Sequence, residues 1–207
     1  MTEAPVEILT IGHSATPYEH FLSLLHRSAV TAIADVRTTP YSRRSPQFNR
    51  NRLRDELRGA GIAYLFFGDE LGGRPADKRL YRDGVADYEK MATEPDFAKG
   101  LERIVGGAKQ YRLAMMCAER DPLDCHRFLL VGRALHRDGI LVRHILPDGS
   151  MADHAVIEER LLLLSRRGDL DLFASGDKRL AAAYRNRASR VAYAWRDRRG
   201  PTAGQTT

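Results

Sequence analysis

The stretch Glu7–Val36, EILTIGHSATPYEHFLSLLHRSAVTAIADV, places an amphipathic segment between two short apolar ones. The apolar segments, Glu7–Gly12 and Ala32–Val36, have the length and composition of buried strands. Between them, Thr16-Pro17-Tyr18-Glu19 combines a capping threonine, a proline at the first helical position and a capping-box glutamate. The pattern predicts a strand, a helix and a second strand parallel to the first, with functional loops at the carboxyl ends of the strands.

The same alternation continues along the chain. Apolar runs predict further strands at residues 61–67, 112–117 and 140–146. Helices are predicted around Leu53–Ala60, from Pro95, from Pro122, from Asp153 and near the C-terminus, and a long polar loop is predicted over residues 68–84. The expected product is an α/β three-layer sandwich with a mostly parallel sheet of about five strands and a C-terminal helical extension.

The net charge of +6 comes from one part of the chain. Residues 1–175 carry 25 basic and 25 acidic side chains, whereas residues 176–207 carry eight basic and two acidic ones. We therefore predict a neutral α/β domain over residues 1–175 and a basic helical extension with a polar tail over residues 176–207. Within the domain, Arg37–Arg58 has a local excess of +5, from seven arginines against Asp55 and Glu56.

Composition narrows the class of protein. With 207 residues, 43% apolar and 29% charged, the chain is expected to form one large globular domain rather than a disordered or disulfide-stapled one. Its two cysteines cannot form a disulfide framework, and no apolar run reaches membrane-spanning length. These features predict a cytoplasmic protein with no membrane partner. They indicate neither a cofactor nor an oligomeric state, and the sequence contains neither a P-loop nor a dinucleotide glycine fingerprint.

Candidate catalytic residues cluster around one predicted strand-to-helix turn, at Cys117, Glu119, Cys125 and His126. A helix beginning at Pro122 would lower the pKa of a thiol in its first turn, so Cys125 is a candidate nucleophile, and Glu119 a candidate general acid or base. The structural alternative is that both cysteines are small core residues, Cys117 at the end of an apolar strand and Cys125 beside Phe128.

A metal site at this turn is a minor alternative. The segment has no Cys-x2-Cys zinc pair, and adjacent residues on a helix point about 100° apart and rarely bind one ion together. We therefore predict no metal site. A phosphatase-like Cys-x5-Arg loop is excluded because Leu123 stands six residues after Cys117.

Other polar residues follow strand ends or lie beside flexible glycines, where they are expected to bind an anion such as phosphate. These candidates are His13, Ser14, Asp35, Arg37, Tyr41, Ser42, Arg43, Gly72, Gly73, Arg74 and Arg127. For most of the arginines taken singly, a solvated surface position is the alternative.

Several short motifs occur together in one order: Thr10–Ser14, Asp35–Arg37, Pro40–Arg43, Phe48, Gly61–Tyr64, Leu71–Arg74, Met116–Glu119, Cys125–Arg127 and His144–Ile145. Their combination resembles the DUF488 family over about residues 6–150 and leaves the C-terminal extension unmatched. The resemblance implies an α/β domain of cytoplasmic bacterial or archaeal proteins, and it implies no particular activity.

Three functional hypotheses follow. The first is an enzyme, a hydrolase or transferase, acting on a phosphorylated small molecule, nucleotide or nucleic-acid component at the carboxyl edge of the sheet. The second is a non-catalytic nucleic-acid-binding module that uses the Arg50–Arg58 helix and the basic extension. The third is a thiol redox or metal protein built on Cys117 and Cys125.

Overall fold

The computed structural model of the protein describes residues 5–165 and 175–195. Its strands are β1 (Glu7–Gly12), β2 (Ala32–Asp35), β3 (Ala63–Phe66), β4 (Tyr81–Arg82), β5 (Val85–Ala86), β6 (Leu113–Cys117), β7 (Leu141–Ile145) and β8 (Met151–Asp153). Its α-helices are α1 (Tyr18–Arg27), α2 (Arg50–Gly59), α3 (Gly68–Leu71), α4 (Tyr88–Met91), α5 (Pro95–Ala108), α6 (Arg133–Arg137), α7 (His154–Ser165) and α8 (Gly176–Val191). Shorter 3-10 turns lie at Pro46–Phe48, Lys78–Leu80 and Pro122–Asp124, and a π-helix at Arg127–Gly132 runs directly into α6.

The main sheet has six strands in the order β3-β2-β6-β1-β7-β8. The first five are parallel to their neighbours, and β8 pairs antiparallel with β7. The predicted α/β class and mostly parallel sheet are confirmed. The sixth strand, only three residues long, follows the tight turn around Gly149, whose φ of +84° suits glycine.

Side chains alternate across the sheet and so build a separate core on each face. In β1, Ile8 belongs to the core that contains α5, the π-helix, α7 and α8, whereas Leu9 belongs to the core that contains α1 and α2. In β6, Leu113 and Ala114 divide between the two cores in the same way. Helices therefore cover both faces of a buried sheet, which gives the predicted three layers.

Two local predictions were wrong. Residues 68–84 form α3, a 3-10 turn and most of the β4–β5 hairpin rather than one polar loop. No helix runs on from Pro122: the 3-10 turn ends at Asp124, and Cys125 has an extended backbone, with φ −133° and ψ 141°. The next helix begins only after Cys125, whose carbonyl accepts hydrogen bonds from the amides of Phe128 and Leu129. Cys125 therefore precedes the helix instead of lying in its first turn.

The helix of the predicted extension, α8, packs on the same core as the rest of the chain. Its Tyr184 is 1% exposed and donates a 2.9 Å hydrogen bond to Glu158 Oε1 on α7. Beyond α8, the Trp195 amide donates to the carbonyl of Gly84, so the chain continues along the hairpin. A domain boundary at residue 175 stays a prediction, and the predicted polar tail, Arg196–Thr207, lies outside the described residues.

Buried histidines join the sheet to the C-terminal helices. Thr10 Oγ1 lies 2.7 Å from His144 Nδ1, His144 Nε2 lies 3.2 Å from His154 Nδ1, and His154 Nε2 lies 3.0 Å from the Tyr184 hydroxyl. Burial lowers the pKa of His154 to about 3 and also lowers that of His144. Both imidazoles are therefore neutral near pH 7, a state in which one ring donates to the other. Within the described ranges, no helix is both long enough and apolar enough to cross a lipid bilayer.

Candidate active site

A cavity of about 250 Å³ opens at the carboxyl edge of the sheet, beside the ends of β2 and β6. This is the edge at which ligands bind in open parallel sheets. The cavity is lined by Arg37, Thr38, Thr39, Gly73, Arg74, Tyr88, Cys117, Ala118, Glu119, Asp124, His126, Val191 and Tyr193. The cavity is therefore lined by residues from β6, from the loops after β2 and α3, and from the end of α8.

The four candidate catalytic residues meet at the floor of this cavity. Reactive atoms of Cys117, Glu119, Cys125 and His126 all lie within 4.8 Å of one another. The Cys117 and Cys125 thiols lie 2.8 and 3.1 Å from Glu119 Oε2, and their sulfurs lie 3.4 and 3.8 Å from His126 Nδ1. We name these four residues the thiol cluster. Three of them line the cavity, and Cys125 lies behind them.

The orientation of His126 is set by the main chain at the end of β2. Its Nε2 donates a 2.8 Å hydrogen bond to the carbonyl of Val36, so Nδ1 faces the thiols and presents its lone pair to them whenever the ring is neutral. The loop after α3 packs directly against the ring: a Cβ added at Gly73 would lie 2.8 Å from His126 Cγ. Glycine at this position thus allows main chain and imidazole to touch.

Burial and neighbouring charges shift the pKa values of the two thiols in opposite directions. Burial raises the pKa of Cys117 well above its ordinary value. Burial also opposes ionisation of Cys125, but the Cys117 hydrogen bond and the positive charges of Arg127 and His126 outweigh it and hold its pKa well below the ordinary value. Burial and the Cys125 charge raise the pKa of Glu119. For His126, the Cys125 charge outweighs the effect of burial and raises the pKa. Of the two thiols, that of Cys125 is therefore the more readily ionised.

Arg127 supports the cluster from behind instead of facing the cavity. It is fully buried, and its Nη1 and Nη2 donate to the carbonyls of Glu119 and Arg120 at 2.7 and 3.1 Å. Its Nε has no hydrogen-bond partner in the described part of the chain. A Cβ at Gly12 would lie 1.9 Å from the carbonyl of Glu119 and 3.0 Å from the guanidinium. Arg127 therefore holds the main chain of this loop, and its binding of an external anion stays a prediction.

Arg37 reaches the cavity wall but is already committed to a buried network. Its Nε and Nη2 donate to the two Asp35 oxygens at 2.8 and 2.6 Å, and Nη1 lies 3.0 Å from His13 Nε2. Tyr64 donates a further 2.6 Å hydrogen bond to Asp35. Burial and the Arg37 charge lower the pKa of His13 to about 4, so this histidine is neutral. Asp35, Arg37 and His13 thus position the strand ends and leave Arg37 little capacity to clamp a ligand.

Arg74 lies at the rim of the cavity, where its guanidinium can contact a ligand. The Arg74 guanidinium lies 4.9 Å from the centre of the Tyr193 ring and makes no ion pair with the described residues. The Arg74 amide donates to Thr38 Oγ1, and a Cβ at the buried Gly72 would lie 2.2 Å from the same oxygen. Sequence reasoning missed Tyr193, since no signal near the C-terminus indicates that the chain returns to this edge.

The remaining predicted anion binders lie away from the cavity lining. Tyr41 is 65% exposed, and Arg43 is exposed beside it. Ser42 Oγ accepts hydrogen bonds from two following amides and so shapes its own turn. Ser14 has a positive φ of 49°, and its amide donates to the carbonyl of Ala118. Ser14 therefore braces the loop that carries Glu119 and does not line the cavity.

Comparison with known proteins identifies one family. The family described as "Domain of unknown function DUF488" matches residues 17–134, more than half of the chain. The resemblance read from the motifs is confirmed, although the matched span stops short of His13 and His144 at either end. No curated protein matches the chain, and no solved structure does.

Proposed function

The chain belongs to the DUF488 family, and we propose that it is an enzyme that binds a small anionic substrate at the carboxyl edge of its sheet. The observation that carries the proposal is the thiol cluster itself: a carboxyl, an imidazole and two thiols within 4.8 Å of one another, at the floor of a cavity. Buried polar groups gathered in a cleft are typical of catalytic sites.

The size and lining of the cavity support a phosphorylated metabolite or a nucleotide as substrate. A volume of about 250 Å³ lies just below the range of about 300–1,000 Å³ usual for small-molecule sites, so it suits a small metabolite or the phosphate end of a nucleotide. Arg74 supplies a cation at the rim, and arginine's planar fork suits phosphate. Tyr88 and Tyr193 supply aromatic surface for the rest of the molecule.

The chemistry we propose is hydrolysis or group transfer assisted by Glu119. Its carboxyl group lines the cavity and contacts both sulfurs, so it is placed to accept or return a proton. Cys117 is the sulfur on the cavity wall, whereas Cys125 is shielded from a substrate.

The nucleic-acid alternative receives less support from the arginine-rich helix. In α2, Arg52 pairs with Glu56, and Arg54 and Arg58 both pair with Asp55. Arg50 lies over the Phe66 ring, 3.9 Å from its centre. All four arginines of α2 therefore have a partner within the protein, although the segment keeps its net excess of +5.

The test is a search for turnover of phosphate monoesters and nucleotides, in which released phosphate or base is measured. Once a substrate is found, Glu119→Gln should lower kcat by about 100-fold or more, the range of general acid–base catalysis. Asp69→Asn, an exposed carboxylate on α3, is the matched control and should leave kcat unchanged. Wild-type kcat in Glu119→Gln would contradict the assignment.

Substrate binding is tested at the rim. Arg74→Ala should raise KM about 10-fold, consistent with the loss of one charge-assisted hydrogen bond of about 1.5 kcal/mol. Arg43→Ala removes an exposed arginine outside the cavity lining and should leave KM unchanged. A raised KM in Arg43→Ala, with an unchanged KM in Arg74→Ala, would instead place the anion site at Arg43.

A further inference from the structure

We propose that Cys117, Cys125 and His126 bind one Zn²⁺ ion, with the fourth coordination position facing Glu119 and the cavity. The inference goes beyond the proposed function, because it concerns metal binding and holds for any substrate. Two thiolates and an imidazole are a ligand set that zinc prefers, and three protein ligands with one open position are typical of catalytic zinc sites.

The distances fit one shared ion. Zinc–sulfur and zinc–nitrogen bonds of about 2.3 and 2.0 Å put neighbouring tetrahedral ligands about 3.6 Å apart. The two sulfurs lie 3.4 and 3.8 Å from His126 Nδ1. Glu119 Oε2, at 2.8 and 3.1 Å from the sulfurs, is too close to them to be a fourth ligand in this position. It contacts both thiols as a hydrogen-bond acceptor.

The surroundings of His126 are those of a metal-binding histidine. Such residues almost always donate their second ring nitrogen to a carbonyl or carboxylate, which fixes the tautomer and directs the other nitrogen to the metal. His126 Nε2 does so with the carbonyl of Val36, at 2.8 Å. The ring is 8% exposed and packed against Gly73, so it cannot turn away without moving main chain.

The charges around the cluster also fit. The Arg127 guanidinium is fully buried and has no carboxylate partner among residues 5–165 and 175–195, and its Nε is unpaired. A buried cation of this kind requires negative charge nearby. The two thiolates that hold Zn²⁺ would carry negative charge in the cluster that Arg127 supports from behind. The main-chain amide of Arg127 donates a 3.4 Å hydrogen bond to Cys125 Sγ.

The local backbone removes the objection raised by adjacent ligands. Cys125 and His126 would point apart if both lay in one helix. Cys125 instead has an extended backbone and His126 is helical, with φ −61° and ψ −23°. This change of conformation between the two residues lets both side chains reach the cluster.

Zinc binding releases the protons of the two thiols. Two S–H bonds are broken and two Zn–S bonds form, and both protons pass to solvent, with Glu119 as the hydrogen-bond acceptor next to each thiol. A water molecule in the open position would then face Glu119. A Cys2His zinc site beside a glutamate that carries protons without binding the metal is a known way to activate water.

The experiment uses the full-length chain. Reduced, metal-free protein is titrated with Co²⁺ and, separately, with Zn²⁺, and bound zinc is measured by elemental analysis after dialysis. We expect one equivalent of each ion, a thiolate-to-cobalt charge-transfer band, intense tetrahedral visible bands, and protection of both thiols from a thiol reagent. Substoichiometric zinc, or bound cobalt without the charge-transfer band, would overturn the proposal. So would a Cys117–Cys125 disulfide in a protein that binds no metal when reduced, which indicates a redox pair instead.

Variants assign the ligands. Cys117→Ser, Cys125→Ser and His126→Asn should each weaken zinc binding by more than about 100-fold, the upper end of what loss of an outer-shell partner costs. Glu119→Gln and the exposed-histidine control His26→Asn should retain one equivalent. Loss of zinc in Glu119→Gln, or retention in all three ligand variants, would contradict the arrangement. Circular dichroism of each variant separates lost binding from lost folding, and cobalt spectra of the wild-type protein test the site without any substitution.

Failure of this inference is distinguishable from failure of the proposed function. Zinc retained by a protein that turns over no phosphorylated substrate supports the metal site and removes only the proposed function. Turnover by a protein that binds no metal supports the proposed function and removes only the metal site.

Discussion

The buried pair of Asp35 and Arg37 offers the sharpest test of how the strand ends are held. Asp35 is fully buried, and Arg37 is 7% exposed. One Asp35 oxygen accepts from Arg37 Nη2 and from the Tyr64 hydroxyl, both at 2.6 Å. The other accepts from Arg37 Nε at 2.8 Å and from the Arg37 amide at 3.1 Å. In Asp35→Asn, an amide NH₂ must replace one of these oxygens and face two donors.

The expected cost follows from the uncompensated cation. Removing one partner of a buried ion pair costs about 3–5 kcal/mol, because the remaining charge stays in a poorly solvated site. The introduced side-chain amide would keep one acceptor oxygen, so we expect the lower end, about 3 kcal/mol. For a chain of this length, that corresponds to a fall in Tm of about 6–12 °C. Adding Arg37→Met to Asp35→Asn should recover part of the loss, since the unpaired charge is then gone.

The assay is guanidinium unfolding followed by circular dichroism, with Tm as a second measure. The matched control is Asp77→Asn, which disrupts an exposed pair with Arg79 and keeps an asparagine that caps the following 3-10 turn as aspartate does. The control should leave the midpoint unchanged. A loss below about 1 kcal/mol in Asp35→Asn, the range of surface pairs, would refute the reasoning.

Three further predictions concern other parts of the molecule. Burial lowers the pKa of His154 to about 3, so between pH 7 and 5 the unfolded chain takes up a proton at this residue that the folded chain does not. The stability that neutral His154 contributes is therefore full above about pH 6.5 and falls by about 2 kcal/mol by pH 5, measured by denaturant unfolding. His154→Asn should reduce the acid-induced loss of stability by that amount and exposed His26→Asn should not; an unchanged slope in His154→Asn would count against the assignment. Gly73→Ala places a Cβ 2.8 Å from His126 Cγ and should lower Tm and zinc affinity together; wild-type values would show that the contact yields easily. Deleting residues 176–207 removes α8 with its buried tyrosine and should abolish cooperative unfolding, whereas a truncated chain that folds normally would support a separable extension.

The predicted strands were placed well because their signals are local. β1, β2 and β6 are short apolar runs bounded by polar or glycine residues, and all lie within a residue or two of their predicted bounds. β1 and β2 are parallel, as expected for strands joined by a helix, although β6 lies between them and pairs with both. The error at Pro122 has a local cause as well, since Asp121 caps a short 3-10 turn here, and such turns commonly connect other elements.

The candidate site was predictable in part for the same reason. Cys117 ends a strand and Glu119 follows it, and a strand end in a parallel sheet is a predictable position. The arginines were harder to assign, because a sequence shows their charge and not their partners. Arg37 is neutralised by Asp35, Arg127 is buried behind the cluster, and Arg74 at the rim is the cavity arginine open to a ligand among the described residues.

The sequence by itself determined the α/β class, the parallel sheet and the edge at which reactive side chains gather. These follow from the period of apolar residues and from the direction of strands joined by helices, which are properties of neighbouring residues. Only the tertiary structure decided what those side chains form. The meeting of Cys117 and Cys125 around His126 depends on one extended residue before a helix and on a carbonyl at the end of another strand. The closure of the cavity by Tyr193 depends on the return of the chain after α8. Contacts between residues distant in sequence arise from packing of the whole core, and no local pattern encodes them.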